Sequence, residues 1–143
     1  MAWFEDLSPY TYSDANRGAL NVGWLDRAHQ FPTGEIDRVF ARKLAQLCVQ
    51  HRMNVMRGWQ NCELCPWEGS DRARAAGLHP IRIDLEGEPY ALGDAEIRVA
   101  HVDGSVYAAP NLIAHYLIEH RYAPPSAFVE AVLADPRVTA EAR

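Results

Sequence analysis

Two short residue pairs in this 143-residue chain have the types and spacing to hold a metal ion. Cys62-Glu63-Leu64-Cys65 is a C-x₂-C knuckle, and His115-Tyr116-Leu117-Ile118-Glu119-His120 is an H-x₄-H pair on a helix-like stretch. A knuckle offers two thiolates from one rigid turn, and its backbone amides can hydrogen-bond the sulfurs and lower their pKa. Two histidines five apart leave nearly one side of a helix whose end unwinds slightly. Cys62, Cys65, His115 and His120 together are the ligand set of a tetrahedral structural zinc, closed to substrate. Such binding is worth on the order of 10 kcal/mol in small modules. The strand-like run before Leu112, then His115 and His120, is similar to the second half of a Cys₂His₂ finger. The departure is the separation of the two halves, because residues 66 to 114 intervene. Major-groove reading is therefore not expected.

Other readings of the same residues stay open. Cys48 and His51 with Cys62 and Cys65 form a C-x₂-H-x₁₀-C-x₂-C arrangement that also suits zinc. Against it, Cys48 falls in phase with Leu44 and Leu47, where a buried thiol is the simpler expectation. Without a metal, His115 would be a core histidine and His120 a favourable charge at a helix C-terminus. Cys62 and Cys65 would then be packing thiols or a redox pair, although no helix is expected directly after Cys62 to lower its pKa. Iron is the competing ion for the same ligand set.

Catalytic signatures are missing. The chain has no G-x-G-x-x-G, Walker loop, H-E-x-x-H or G-x-S-x-G. Glu63 and Glu119 adjoin the ligands and are conceivable bases. The H-x-E element of zinc deaminases does not occur upstream of Cys62, and four protein ligands leave no position for water. A zinc-dependent hydrolase or deaminase is thus the second reading, with no catalytic residue assigned.

These residues must be positioned by a chain of ordinary globular composition, 48% hydrophobic and 23% charged, which suggests a single domain over 1–143. The net charge of −5 and pI near 5.6 count against nucleic acid, making a nucleic-acid-binding finger the third reading. Glu86, Glu88, Asp94, Glu96 and Asp103 could face a basic protein partner, or be solvated turns. Trp67, in a polar stretch after the knuckle, is the candidate partner-binding anchor, while Trp24 and Trp59 read as core. Three cysteines, no basic-then-apolar start and no bilayer-length apolar run lead to an expectation of a reducing cytoplasm and no membrane.

The pattern of elements predicts an α+β fold: a short-stranded antiparallel sheet packed with three helices and tethered by the metal. Residues 1–18 read as an extended arm, and 19–25 as a strand. Ile36, Val39, Phe40, Leu44, Leu47 and Cys48 place one face of a helix over 36–51, capped by Thr33 or Asp37. Residues 54–59 read as a strand feeding the knuckle, and 66–79 as a loop with a helical turn at 72–76. Strands are expected at 81–85, 89–92, 95–101 and 105–109, with turns at Glu86-Gly87 and Asp103-Gly104. Pro110 suits the first position of a helix over 111–121, and Pro124-Pro125 opens another carrying Phe128, Val129, Val132 and Leu133. The tail from Pro136 is expected to fray.

Several stretches carry a resemblance. They are Trp3-Phe4-Glu5-Asp6-Leu7-Ser8-Pro9-Tyr10-Thr11-Tyr12, Leu20-Asn21-Val22-Gly23-Trp24-Leu25, and Arg57-Gly58-Trp59 leading into Cys62-Glu63-Leu64-Cys65. Tyr107-Ala108-Ala109-Pro110-Asn111-Leu112-Ile113-Ala114-His115-Tyr116 and His120-Arg121-Tyr122-Ala123-Pro124-Pro125 complete it. Over nearly its whole length the chain resembles a family of small bacterial proteins, commonest in actinomycetes, that has no assigned activity. The resemblance implies only that the arm and both ligand pairs belong to one unit. The expected function is that of a non-catalytic zinc-binding protein, acting as an interaction, regulatory or immunity-type partner of another bacterial protein.

Overall fold

The computed structural model describes residues 3–11, 18–65 and 81–139. Their order is β1 (Leu20–Asn21), α1 (Arg38–Gln50), β2 (Ile81–Leu85), β3 (Glu88–Leu92), β4 (Glu96–Ala100), β5 (Val106–Pro110), α2 (Ile113–His120) and α3 (Ser126–Ala134). The fold is α+β, with three helices among the described residues. The strands form two small sheets instead of one antiparallel sheet. β1, β5 and β4 make a three-stranded sheet in that order, while β2 and β3 pair only with each other. β4 and β5 are antiparallel, but β1 joins β5 in parallel, Leu20 opposite Tyr107.

Local chemistry explains most of these elements. Asp37 caps α1, its side chain accepting from the Val39 and Phe40 amides, which satisfies orphan donors of the first turn. Phe40, Leu44, Leu47 and Cys48 face inward as their spacing requires, whereas Ile36 and Val39 are 36% and 45% exposed. Glu86 and Gly87 both have positive φ, 54° and 86°, the geometry that a two-residue hairpin turn matched to strand twist requires. Alternation in β2 buries Ile81, Ile83 and Leu85 and exposes Arg82 and Asp84.

Four expectations on elements are corrected. The strand at 19–25 is two residues long, because Gly23 turns the backbone at φ 81°. Residues 54–59 are not a strand. Met53 alone bridges to Glu96, and the chain then follows the loop before β4 through Met56 N–H to Asp94 O and Gln60 N–H to Gly93 O. Pro110 ends β5 instead of opening a helix, and α2 begins at Ile113. Asp94 and Glu96 are buried, not part of an acidic surface. Tyr10 and Asn54 donate to the Glu96 carboxylate, Arg98 pairs with it at 2.9 Å, and Arg52 pairs with Asp94. Buried carboxylates persist when paired and hydrogen-bonded in this way.

The main core runs from Val22 through α1, both sheets and α2 to Val132. A second cluster of Tyr10, Ala19, Trp24 and Ala108 is joined by Phe4. Its polar atoms are satisfied: Trp24 Nε1–H donates to Ala108 O at 3.0 Å. Residues 3–11 lie along this cluster, with Leu7 N–H donating to Asn21 O and Tyr10 N–H to Ala19 O. Among the described residues, no helix is long and apolar enough to cross a membrane. The expected loop and helical turn within 66–79, and Trp67, lie outside the described residues.

Candidate metal centre

The knuckle is held from two sides. Its approach is fixed by the Gln60 amide on Gly93 O, at 2.8 Å. Gly93 has φ 109°, and a Cβ there would stand 2.6 Å from Gln60 O, so only glycine lets these two backbones approach. On the other side, Arg27 Nε donates to Glu63 O at 2.7 Å, and the Arg27 amide donates to the Glu63 carboxylate at 3.3 Å. Glu63 is thereby engaged as a clamp. The Leu64 and Cys65 amides hydrogen-bond the Cys62 sulfur, as a knuckle allows.

α2 is anchored at both ends. Before it, Asn111 is fully buried. Its side-chain amide donates to Asp94 Oδ1 at 3.2 Å and to Cys48 O at 3.4 Å, and its oxygen accepts from Gly93 N–H at 2.9 Å. No side chain caps α2 at Leu112, but the Ala114 amide meets the buried Cys48 sulfur. Burial pushes the Cys48 thiol up to about 12, so it is a protonated, inert packing group. At the far end Arg121 adopts a left-handed φ of 59°, which lets its amide and that of Tyr122 close on Tyr116 O. The Tyr122 hydroxyl donates to Asp6 at 2.7 Å, and the other Asp6 oxygen accepts the Gly23 amide. The arm therefore locks the chain just past His120.

These anchors bring Cys62, Cys65, His115 and His120 together, with one donor atom of each within 4.8 Å of all the others. Cys62 Sγ lies 3.4 Å from His120 Nε2, and Cys65 Sγ lies 3.3 Å from His115 Nε2 and 3.5 Å from His120 Nε2. The imidazoles meet edge to face, their centroids 5.1 Å apart. Bonds of about 2.3 Å to sulfur and about 2.05 Å to nitrogen, at the tetrahedral angle, set a sulfur and a nitrogen about 3.6 Å apart. The donor set and its spacing thus fit a single tetrahedral ion. Cys48 and His51 are not in the cluster, so the alternative pairing does not assemble.

Electrostatics prepare the histidines and oppose the buried thiol. Burial, followed by the charge that His120 would carry, pushes His115 down to about 4, and burial lowers His120 as well. Both rings are neutral near pH 7, with a lone pair to give. Burial pushes Cys62 up to about 12, so an ion must displace its proton on binding.

His115 also lines a cleft of about 470 Å³ with Arg82, Ile83, Asp84, Pro89, Ile118 and Glu119. Glu119 lines this cleft beside His115, whereas Glu63 is held by Arg27. Sequence reasoning missed Asn111, Asp6 and Arg27. Only Asn111 carried a signal, as an amide side chain two residues before a helix.

No curated protein and no solved structure matches this chain. A family model does match residues 2–133, and by that match the chain belongs to the domain of unknown function DUF7919.

Proposed function

We propose that the protein binds zinc through Cys62, Cys65, His115 and His120 as a structural ion, and works without catalysis as the partner of another bacterial protein in the cytoplasm. The carrying observation is the set of 3.3–3.5 Å sulfur–nitrogen separations, which fit the edges of a tetrahedral zinc site. Zinc suits a mixed thiolate and imidazole set, with iron the competing ion. Four protein ligands complete a tetrahedron, so the ion's role is to fasten the knuckle to α2. A unit spanning 1–143 is supported by a core drawing on residues from Val22 to Val138.

Elemental analysis of the purified protein, with thiol counting, tests the metal. The expected result is one zinc per chain, two thiols unmasked by chelation, and Cys48 reacting only after denaturation. Metal-free native protein with the Cys62 and Cys65 thiols already reactive would sink the reading. The partner role is tested by affinity capture from cytosolic extract, with and without chelator. Failure to recover any partner from metal-loaded protein would count against it.

A zinc-dependent hydrolase or deaminase is the second reading, and the cleft lined by His115 favours it. It requires a coordination position open to water. A cobalt-substituted protein whose absorption is tetrahedral and unmoved by added azide would end that reading. The nucleic-acid-binding finger has no such support; unchanged DNA and RNA mobility at low salt would remove it.

A further inference from the structure

We infer that the Cys62–Cys65 pair is also an oxidation site, at which a hydroperoxide forms a disulfide and thereby expels the metal. The inference rests on the metal-binding reading above and names a regulation of that same centre. Three observations carry it. The two sulfurs come from one turn and their donor atoms lie within 4.8 Å, so closure needs no long chain movement. Cys65 is half-buried whereas Cys62 is buried, which gives an oxidant arriving from solvent a defined first target. The third thiol, Cys48, is buried outside the cluster against the Ala114 amide and does not compete.

The chemistry balances with two electrons. The Cys65 thiolate attacks one peroxide oxygen, the O–O bond breaks, and Cys65 becomes a sulfenic acid while the hydroxide that leaves takes up a proton from the buffered solvent and becomes water. The Cys62 thiolate then attacks the Cys65 sulfur, the S–O bond breaks, and a second hydroxide is protonated. Two thiolates, one hydrogen peroxide and two protons give one disulfide and two waters.

Metal release follows from geometry. Two sulfurs on one tetrahedral zinc stand about 3.8 Å apart, given bonds of about 2.3 Å. A disulfide holds them at about 2.05 Å. The two states exclude each other, and the oxidised pair has lost both negative charges. His115 and His120 alone supply half of the ligand set. Oxidation therefore unties α2 from the knuckle, while the anchors at Asn111 and Tyr122 keep the helix in place.

The test is to add hydrogen peroxide to the metal-loaded protein, follow released ion with a chromogenic chelator, and map cysteines by alkylation and mass spectrometry. The expected result is one ion released per Cys62–Cys65 disulfide, Cys48 still reduced, and recovery of the loaded form with a thiol reductant and zinc. An ion retained while free thiols in the same tube oxidise would overturn the inference and leave the metal site standing. Release accompanied by Cys65 sulfinic acid or by a disulfide between chains would overturn it too. A protein that purifies and reconstitutes without metal would instead take down the underlying metal reading, and this coupling with it.

Discussion

Burial acts in opposite senses on the two histidines and on Cys62. It keeps His115 and His120 neutral and ready to donate, and it keeps Cys62 protonated until an ion takes the place of its proton. In metal-free protein this makes stability depend on pH with a definite sign. Between about pH 4, where folded His115 titrates, and the ordinary histidine range near 6.5, the unfolded chain binds more protons than the folded one. Stability should therefore be intact above that window and fall as pH drops through it. Melting temperatures measured in chelator from pH 7 to pH 4 check this, and a flat profile would contradict the neutral buried imidazole. The two cysteine environments separate equally clearly. Cys62→Ser should abolish stoichiometric metal, whereas Cys48→Ala should cost packing, about 1–2 kcal/mol, and leave metal content unchanged. Metal analysis with thermal melts distinguishes them, and loss of metal in the Cys48 variant would revive the rejected pairing. The ligands were legible because their chemistry is written in local spacing. Asn111, Asp94 and Glu96 were not, because a buried polar side chain looks like a solvated one until its distant partners are known.

Helices and hairpins were legible for the same local reason. α1 shows its face at spacings of three and four, and Glu86-Gly87 announces a turn whatever lies elsewhere. The pairings that position the centre are of another kind. β1 meets β5 in parallel across most of the chain, and the segment after Met53 follows the loop before β4 by single hydrogen bonds without forming a strand. No periodicity records such contacts, so the approach to the knuckle reads as a strand in the sequence where none forms. Two glycines show how tightly these contacts are set. A Cβ on Gly23, at φ 81°, would stand 2.5 Å from Ile113 Cδ1 at the start of α2. A Cβ on Gly93 would meet the Gln60 carbonyl, which is backbone and cannot rotate aside. Both alanine variants should be destabilised, Gly93→Ala by about 1–3 kcal/mol or more because strain and overlap coincide there. Gly93→Ala should also weaken metal binding more than Gly23→Ala, since it displaces the backbone of the knuckle's approach, whereas a Cβ on Gly23 meets the Ile113 side chain. Competition titration against a chelator of known affinity checks the order, and equal affinities would detach the knuckle from this anchor.

At the scale of the whole molecule, the question is how much of the structure depends on the ion. A small finger has almost no core, so its metal supplies nearly all of its folding energy. Here the main core includes Val22, α1, both sheets, α2 and α3, and a second cluster ties in the arm. The centre lies between the knuckle and α2, which supplies His115 from its first turn and His120 from its end, and the anchors at Asn111, Asp6 and Tyr122 do not pass through it. Removing the ion should therefore weaken the fold without dissolving it. A loss of several kcal/mol in a chain of this length lowers the melting temperature by about 2–4 °C per kcal/mol, so a fall of about 10 °C or more is expected on chelation. Amide exchange locates that loss. Residues 62–65 and the final turn of α2 should exchange faster in chelated protein, while β4, β5 and the middle of α1 keep their protection. Uniform loss of protection would mean that the ion stabilises the entire core, as in a true finger. Unchanged protection around Cys62 and His120 would mean that the four side chains pack without needing an ion, and the metal reading would lose its structural consequence.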